Sequence, residues 1–319
     1  MKITEAIKFL SPAIEKKNKI QPVLEHVRIT QNYAIAYNGM LALAAPVALP
    51  LTCTPNGIML EEAVKRFGDN FTAVQKPNGD LYFEGNKFKV TIPCTTDDFP
   101  MPDFSGTPVM SGKGFVDKIK KLLPFTDDNN NLAPWMGSIL LRDGRAYATC
   151  GHTLAFCPVD IPEGSDLALP VEAAEAMVQI GEEPEYIARG EHRLSVVYSG
   201  GRFLSSPLVH TPWPAVKQIG HPAAQCGVLP GLFEAIKSIE PFGISDDRQN
   251  FYIGNGYVSS ARDGQGARME VEGLVGNWSW NHLSVRLIEK HCKHLQINAK
   301  TSSWSGDGIE GRLRIGDLN

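Results

Sequence analysis

Three observations predict an α+β fold built from three repeated domains. The first is internal similarity: VRITQNYAIAYNGMLALAAPVALP from Val27 lies without a gap over ILLRDGRAYATCGHTLAFCPVDIP from Ile139, an offset of 112 residues (139 − 27). A weaker third copy is FYIGNGYVSSARDGQGARMEV from Phe251. The second is a short helical signature upstream of each copy. EAIKFLSP, DKIKKLLP and EAIKSIEP share an acid, Ile, Lys, an aliphatic residue and Pro, at Glu5, Asp117 and Glu234 and the positions that follow. The third is that the copies close in near-alternating apolar segments with Gly turns, such as DLYFEGNKFKVTIP, which is the pattern of antiparallel hairpins.

Each copy therefore reads as a helix ending near Pro, a pair of strands with a Gly turn, a second helix, and more strands. The second helices are MLEEAVKRFGD from Met59, LPVEAAEAMVQIG from Leu169 and SWNHLSVRLIEKHCKH from Ser279. Two helices on one side of an antiparallel sheet, three times over, satisfy the need of each element to bury one face. Pro-rich segments, TTDDFPMPDFSGTP from Thr95 and LVHTPWPAVKQIGHPAAQ from Leu208, set the boundaries: residues 1–105, 106–220 and 221–319.

Composition fits this organisation. A chain of 319 residues is expected to hold two or three cores, and 43% hydrophobic with 21% charged residues argues against both disorder and a membrane span. The opening MKITEAIKFLSPAIEKKNK reads as an amphipathic helix rather than a signal peptide, so a cytoplasmic protein is expected, with its six cysteines as free thiols. A net charge of −4 excludes a wholly basic nucleic-acid coat but permits a segregated basic face.

ATCGHTLAFC, residues 148 to 157, offers chemistry on its surface. A Cys150–His152 dyad would need a thiolate within reach of its base and an orienting third group. Their repeat partners are Asn38 and Met40, so the scaffold is built without either group. Zinc finds no paired ligand spacing there or at His291, Cys292 and His294. GDGIEG from Gly306 matches a dinucleotide fingerprint by letter, but without the helix and distant acid it reads as a hairpin turn. No enzyme, metal or cofactor is expected.

ATCGHTLA resembles the signature of the middle domain of the bacterial DNA polymerase III β subunit family, the sliding clamps, and DDFPMP and WPAVKQIG resemble the segments that close its first two domains. The resemblance runs along the whole chain, which is shorter than most cellular members and departs from them in places, as a viral or plasmid-borne member would. It implies a DNA clamp fold, a ring of two head-to-tail copies around duplex DNA, helices lining the hole, and tethering of a polymerase and a clamp loader through short peptides. A clamp-fold decoy that binds a partner without encircling DNA is the alternative.

Helical spacing puts Lys8, Lys120 and Lys237 on the free faces of three equivalent helices. Lys16, Lys17, Lys19, Lys65, Arg66, Lys118, Lys121, Arg286, Lys290 and Lys293 enrich the same elements in positive charge, the pattern of a sequence-blind grip on phosphate. Against this, the second helix of the middle copy is acidic. In TDDNNNLAPWMG, Asn130 could donate to phosphate, and Trp135 falls where the family has an aromatic near DNA; packing under its own loop is the other reading of Trp135. The resemblance further implies a partner-peptide pocket of Met136, Thr149, Gly151, His152, Thr153, Leu154, Pro214, Gln218, Ile219, Leu313, Ile315 and Leu318. Thr153 replaces an Arg of the family, so an altered peptide preference is expected. Phe88, Val90 and Phe242 are placed at the subunit interface, with ordinary core as the alternative.

Overall fold

The computed structural model describes residues 1–68, 70–85, 87–130, 132–209, 211–216, 227–243, 250–262, 266–297 and 301–317, with side chains as far as Arg314. The first repeat contains α1 (Ile3–Leu10), β1 (Val27–Ile29), β2 (Tyr33–Tyr37), β3 (Ala42–Pro46), α2 (Gly57–Phe67), β4 (Thr72–Gln75), β5 (Leu81–Gly85) and β6 (Phe88–Ile92). The second contains β7 (Thr107–Ser111), α3 (Phe115–Leu122), β8 (Ser138–Arg142), β9 (Arg145–Thr149), β10 (Thr153–Pro158), β11 (Asp166–Pro170), α4 (Val171–Ile180), β12 (Tyr186–Arg189), β13 (Arg193–Tyr198) and β14 (Arg202–Pro207). The third contains α5 (Leu232–Ile239), β15 (Asn250–Gly254), β16 (Tyr257–Ser259), β17 (Arg268–Glu270), β18 (Trp278–Asn281), α6 (His282–Glu289), β19 (His294–Ile297), β20 (Thr301–Gly306) and β21 (Ile309–Asp317). No helix among the described residues is long and apolar enough to cross a membrane.

The repeated Pro now has a local cause. Pro12, Pro124 and Pro241 each occupy the start of a 3-10 turn that follows α1, α3 and α5, because the ring cannot continue an α-helix. The faces follow the 3.6-residue period: Ile3, Ala6, Ile7 and Leu10 of α1, Phe115, Ile119 and Leu122 of α3, and Leu232, Ala235, Ile236 and Ile239 of α5 are buried. Helix α2 starts at Asn56, whose Oδ1 accepts from Met59 N at 3.1 Å, and α6 starts at Asn281, whose Oδ1 accepts from Ser284 N at 3.3 Å. Two second helices differ from expectation in extent. Leu169 and Pro170 end strand β11 rather than opening α4, and Ser279–Asn281 pair with β15 before α6 begins.

The chain divides into two compact units, residues 1–120 with 160–210 and residues 121–159 with 211–319, each joining part of the middle repeat to a terminal one. In the first, a seven-stranded sheet runs β1-β2-β3-β14-β13-β12-β7, and β4-β5-β6 form a separate three-stranded sheet. Strand β3 pairs antiparallel with β14, with Leu43 opposite Leu204. In the second unit the order is β8-β9-β10-β21-β18-β15-β16-β17, with β20 and β19 continuing from β21. There β10 pairs antiparallel with β21, with Thr153 opposite Leu313. The two pairings are equivalent: the last strand of a repeat's first triplet joins the last strand of the next repeat's second triplet. GDGIEG is the β20–β21 hairpin turn, with Asp307 and Gly308 at φ of 51° and 81°.

Candidate nucleic-acid face and peptide pocket

On the first unit, Lys8 and Lys120 are exposed, as are Lys16, Lys17, Lys19, Lys65 and Arg66; Lys118 is half-buried. Their charges are not equally available. Lys65 Nζ lies 3.1 Å from Glu62 and 3.3 Å from Glu61, which raise its pKa, and Arg66 sits 5.5 Å from the centre of the Phe88 ring. Lys8, Lys16, Lys17, Lys19 and Lys120 form no ion pair among the described residues, although the Lys8 charge helps to lower Glu182 after the larger effect of Arg202. Helix α4 presents Glu172 and Glu175 to solvent, as its acidic sequence implied.

On the second unit, more of the cations are compensated. Lys237 pairs with Glu289 at 2.5 Å, and Arg286 and His282 share the Glu240 carboxylate. Burial alone would raise Glu240, but those two partners outweigh it and hold the carboxyl below its ordinary value. Lys293 pairs with Asp307, and Lys121 donates to the Asp307 carbonyl at 3.0 Å; Lys290 is exposed. The two polar ends of the Asn130 amide are engaged locally: Oδ1 accepts from Leu132 N and Ala133 N, and Nδ2 points to Met136 Sδ. Trp135 is half-buried and packs on Trp213 with ring centres 4.9 Å apart.

The expected pocket residues separate into two faces of one sheet. Leu154 lies opposite Thr149 on one side and Arg312 on the other. Gly151, at φ 83°, turns the β9–β10 hairpin, and a Cβ there would stand 3.3 Å from Met136 Cε. Thr149 Oγ1 accepts from Gly151 N at 3.1 Å, His152 and Pro214 are exposed, and the His152 carbonyl accepts from Arg314 N at 2.9 Å. Behind them, Trp213 Nε1 donates to Ser138 Oγ at 3.0 Å. Thr153 and Leu313 require a correction. They are 1% and 0% exposed and belong to the opposite face, that of Trp304 and Phe125, because side chains alternate along β10 and β21. Thr153 therefore faces core. Arg312, 4% exposed, lies on the other face beside Leu154, its burial lowering its pKa; the alternation of GRLRIG, with Leu313 inward, was the signal for that placement. Gln218, Ile219 and Leu318 lie outside the described residues, as does the Ile315 side chain.

Phe88 is exposed and Val90 half-buried on β6, which ends the three-stranded sheet. Phe242 is exposed, and its carbonyl accepts from Ser260 Oγ at 3.1 Å, beside the β16–β17 edge. That edge strand β17 is exposed at all three residues.

The whole chain superposes on solved β subunits of DNA polymerase III. The one from Pseudomonas aeruginosa matches at a TM-score of 0.80 with 16% identity, covering 99% of this chain and 98% of that one. The fold is that of the bacterial sliding clamps. A Caulobacter crescentus pol III β matches at 0.79 with 14% identity over 99% of this chain and 98% of that one, and the Thermotoga maritima β subunit at 0.77 with 14% over 100% and 98%. No family model matches the sequence, and no curated protein does. At such identities the clamp fold is held by burial pattern and strand pairing rather than by particular side chains.

Proposed function

We propose that the chain is a DNA sliding clamp: a polymerase processivity factor that closes around duplex DNA as a head-to-tail ring of two copies and tethers the replicative polymerase and other partners through short peptides. The observation that carries this reading is an unfilled pairing rule. Strand β3 is met by β14 and β10 by β21, which leaves β17 of the third repeat and β6 of the first as the two equivalents without such a mate among the described residues. Joining β17 of one copy to β6 of another repeats the same antiparallel junction, and two such joints close the assembly. Phe88, Val90, Phe242 and Met269 then lie at the joint.

In this reading the three repeats are three domains, 1–105, 106–220 and 221–319, and the protein is a scaffold without turnover chemistry that works in the cytoplasm. Lys8, Lys120, the lysines of residues 16–19 and Lys290 supply the salt-sensitive contact with DNA phosphates; Lys65, Lys237, Arg286 and Lys293 contribute less because their own carboxylate neighbours compensate them. Met136, Thr149, Gly151, His152, Leu154 and Pro214 form the wall that receives a partner peptide.

Light scattering tests the ring. A mass near 70 kDa, twice 34.9 kDa, is expected. A single-chain mass at every concentration at which the protein is retained on DNA would overturn it.

A further inference from the structure

The loops that follow α1 and α3 carry the same turn, 112 residues apart (130 − 18). Asn18 Oδ1 accepts from Ile20 N at 3.0 Å and Gln21 N at 2.8 Å; Asn130 Oδ1 accepts from both Leu132 N and Ala133 N at 3.2 Å. Each turn leads into a 3-10 turn opened by Pro, Pro22–Glu25 or Pro134–Gly137. Asn18 N is itself fixed on Glu25 Oε1 at 2.7 Å. The product in both is an aliphatic side chain held out into water: Ile20 is 91% exposed and Leu132 98%. Exposure of this kind gives the fold nothing, because an aliphatic group stabilises only when it leaves water.

The surroundings of the two tips differ. Lys16, Lys17 and Lys19 flank Ile20, all exposed and without an ion pair among the described residues, with Glu15 the one acid of that stretch. Leu132 follows Asp127 and Asp128. Charge complementarity therefore selects a polyanion for the first loop only. An anionic bilayer is the weaker fit, since one short aliphatic chain buries far less than an acyl chain, and a single acyl chain holds a protein to a bilayer only marginally.

We propose that Ile20 is an apolar pin that seats against deoxyribose and base edges of duplex DNA while Lys16, Lys17 and Lys19 hold the flanking phosphates. This rests on the clamp reading and adds to it a salt-independent component of DNA affinity. Apolar side chains pressed between or along base steps are an established way of gripping DNA without reading its sequence.

The test is fluorescence anisotropy of a labelled duplex across a salt series, with wild type, Ile20→Ser, Leu132→Ser and the combined Lys16→Gln, Lys17→Gln, Lys19→Gln variant. Both tips are exposed, so folding should survive, and circular dichroism verifies it. Ile20→Ser should weaken binding about three- to tenfold at every salt concentration without changing the logarithmic salt slope. The lysine variant should flatten the slope by up to about 2.7, and Leu132→Ser should match wild type. Ile20→Ser binding like wild type, an equal loss in Leu132→Ser, or an Ile20-dependent loss on phosphatidylserine vesicles but not on DNA would each overturn the pin while leaving the clamp reading standing. Failure of wild type to bind the duplex at any salt concentration would overturn the pin alone, and equal, rapid loss of loaded wild type from intact and cut circles would overturn the clamp reading with it.

Discussion

Glu289→Gln should strengthen DNA binding and make it more salt-dependent, a counterintuitive gain for a surface substitution. Lys237 occupies the same place in its helix as Lys8 and Lys120, yet its ammonium lies 2.5 Å from Glu289 and that carboxylate raises its pKa. A lysine already neutralised by its own chain displaces few counterions from DNA. Each uncompensated lysine that meets a phosphate steepens the logarithmic salt slope by about 0.9. The pair Lys8→Gln and Lys120→Gln should therefore flatten the slope by about 1.8, which over a fourfold change in salt is roughly a tenfold change in binding constant. Lys237→Gln should do far less, and Glu289→Gln should steepen the slope by up to about 0.9. Anisotropy of a short labelled duplex, measured across a potassium chloride series, gives all four slopes. A slope flattened by Lys237→Gln by half as much as by the Lys8 and Lys120 pair, or left unchanged by Glu289→Gln, would refute this compensation of Lys237.

Other expectations can be checked on the isolated protein. Gly151→Ala forces a side chain into a positive-φ turn beside Met136 and should destabilise by about 1–2 kcal/mol, read from urea denaturation; an unchanged midpoint would contradict the turn geometry. Trp213→Phe removes the donor to Ser138 Oγ and should cost about 1 kcal/mol by the same assay. Glu182 is held below its ordinary value chiefly by hydrogen bonds from Arg202. Its contribution is present above the unfolded-state glutamate pKa and is lost as pH falls through the depressed folded value. Denaturation midpoints should thus decline less steeply in acid for Arg202→Gln than for wild type, by a small amount because the pair is partly solvated. Lysines introduced together at Phe88 and Met269 place like charges on both proposed mating edges, and the scattering mass should fall to that of one chain.

The threefold organisation was legible because it is written as spacing: a Pro after each first helix, a Gly turn, an apolar alternation. Each of these acts within a few residues and needs no knowledge of the rest of the chain. What joins the repeats was not legible. Nothing local to Ala42–Pro46 says that Arg202–Pro207 will pair with it, since the ladder is made by backbone groups that every sequence possesses. The candidate pocket was half legible for a related reason. Resemblance supplies positions, whereas alternation decides which face they occupy, so Thr153 and Leu313 fell on the core side and Arg312 went unnoticed. The compensation of Lys237 and Arg286 was not legible because Lys237–Glu289 and Arg286–Glu240 unite residues about fifty positions apart, and such pairing is set by how α5 and α6 pack.

A closed ring is held on DNA by topology, and retention on circular DNA measures that. After loading onto a nicked circle with a clamp loader, the protein should stay bound through washing in high salt and should be lost when the circle is cut, because only then can a closed ring slide off an end. Equal, rapid loss from intact and cut circles after verified loading would contradict the clamp.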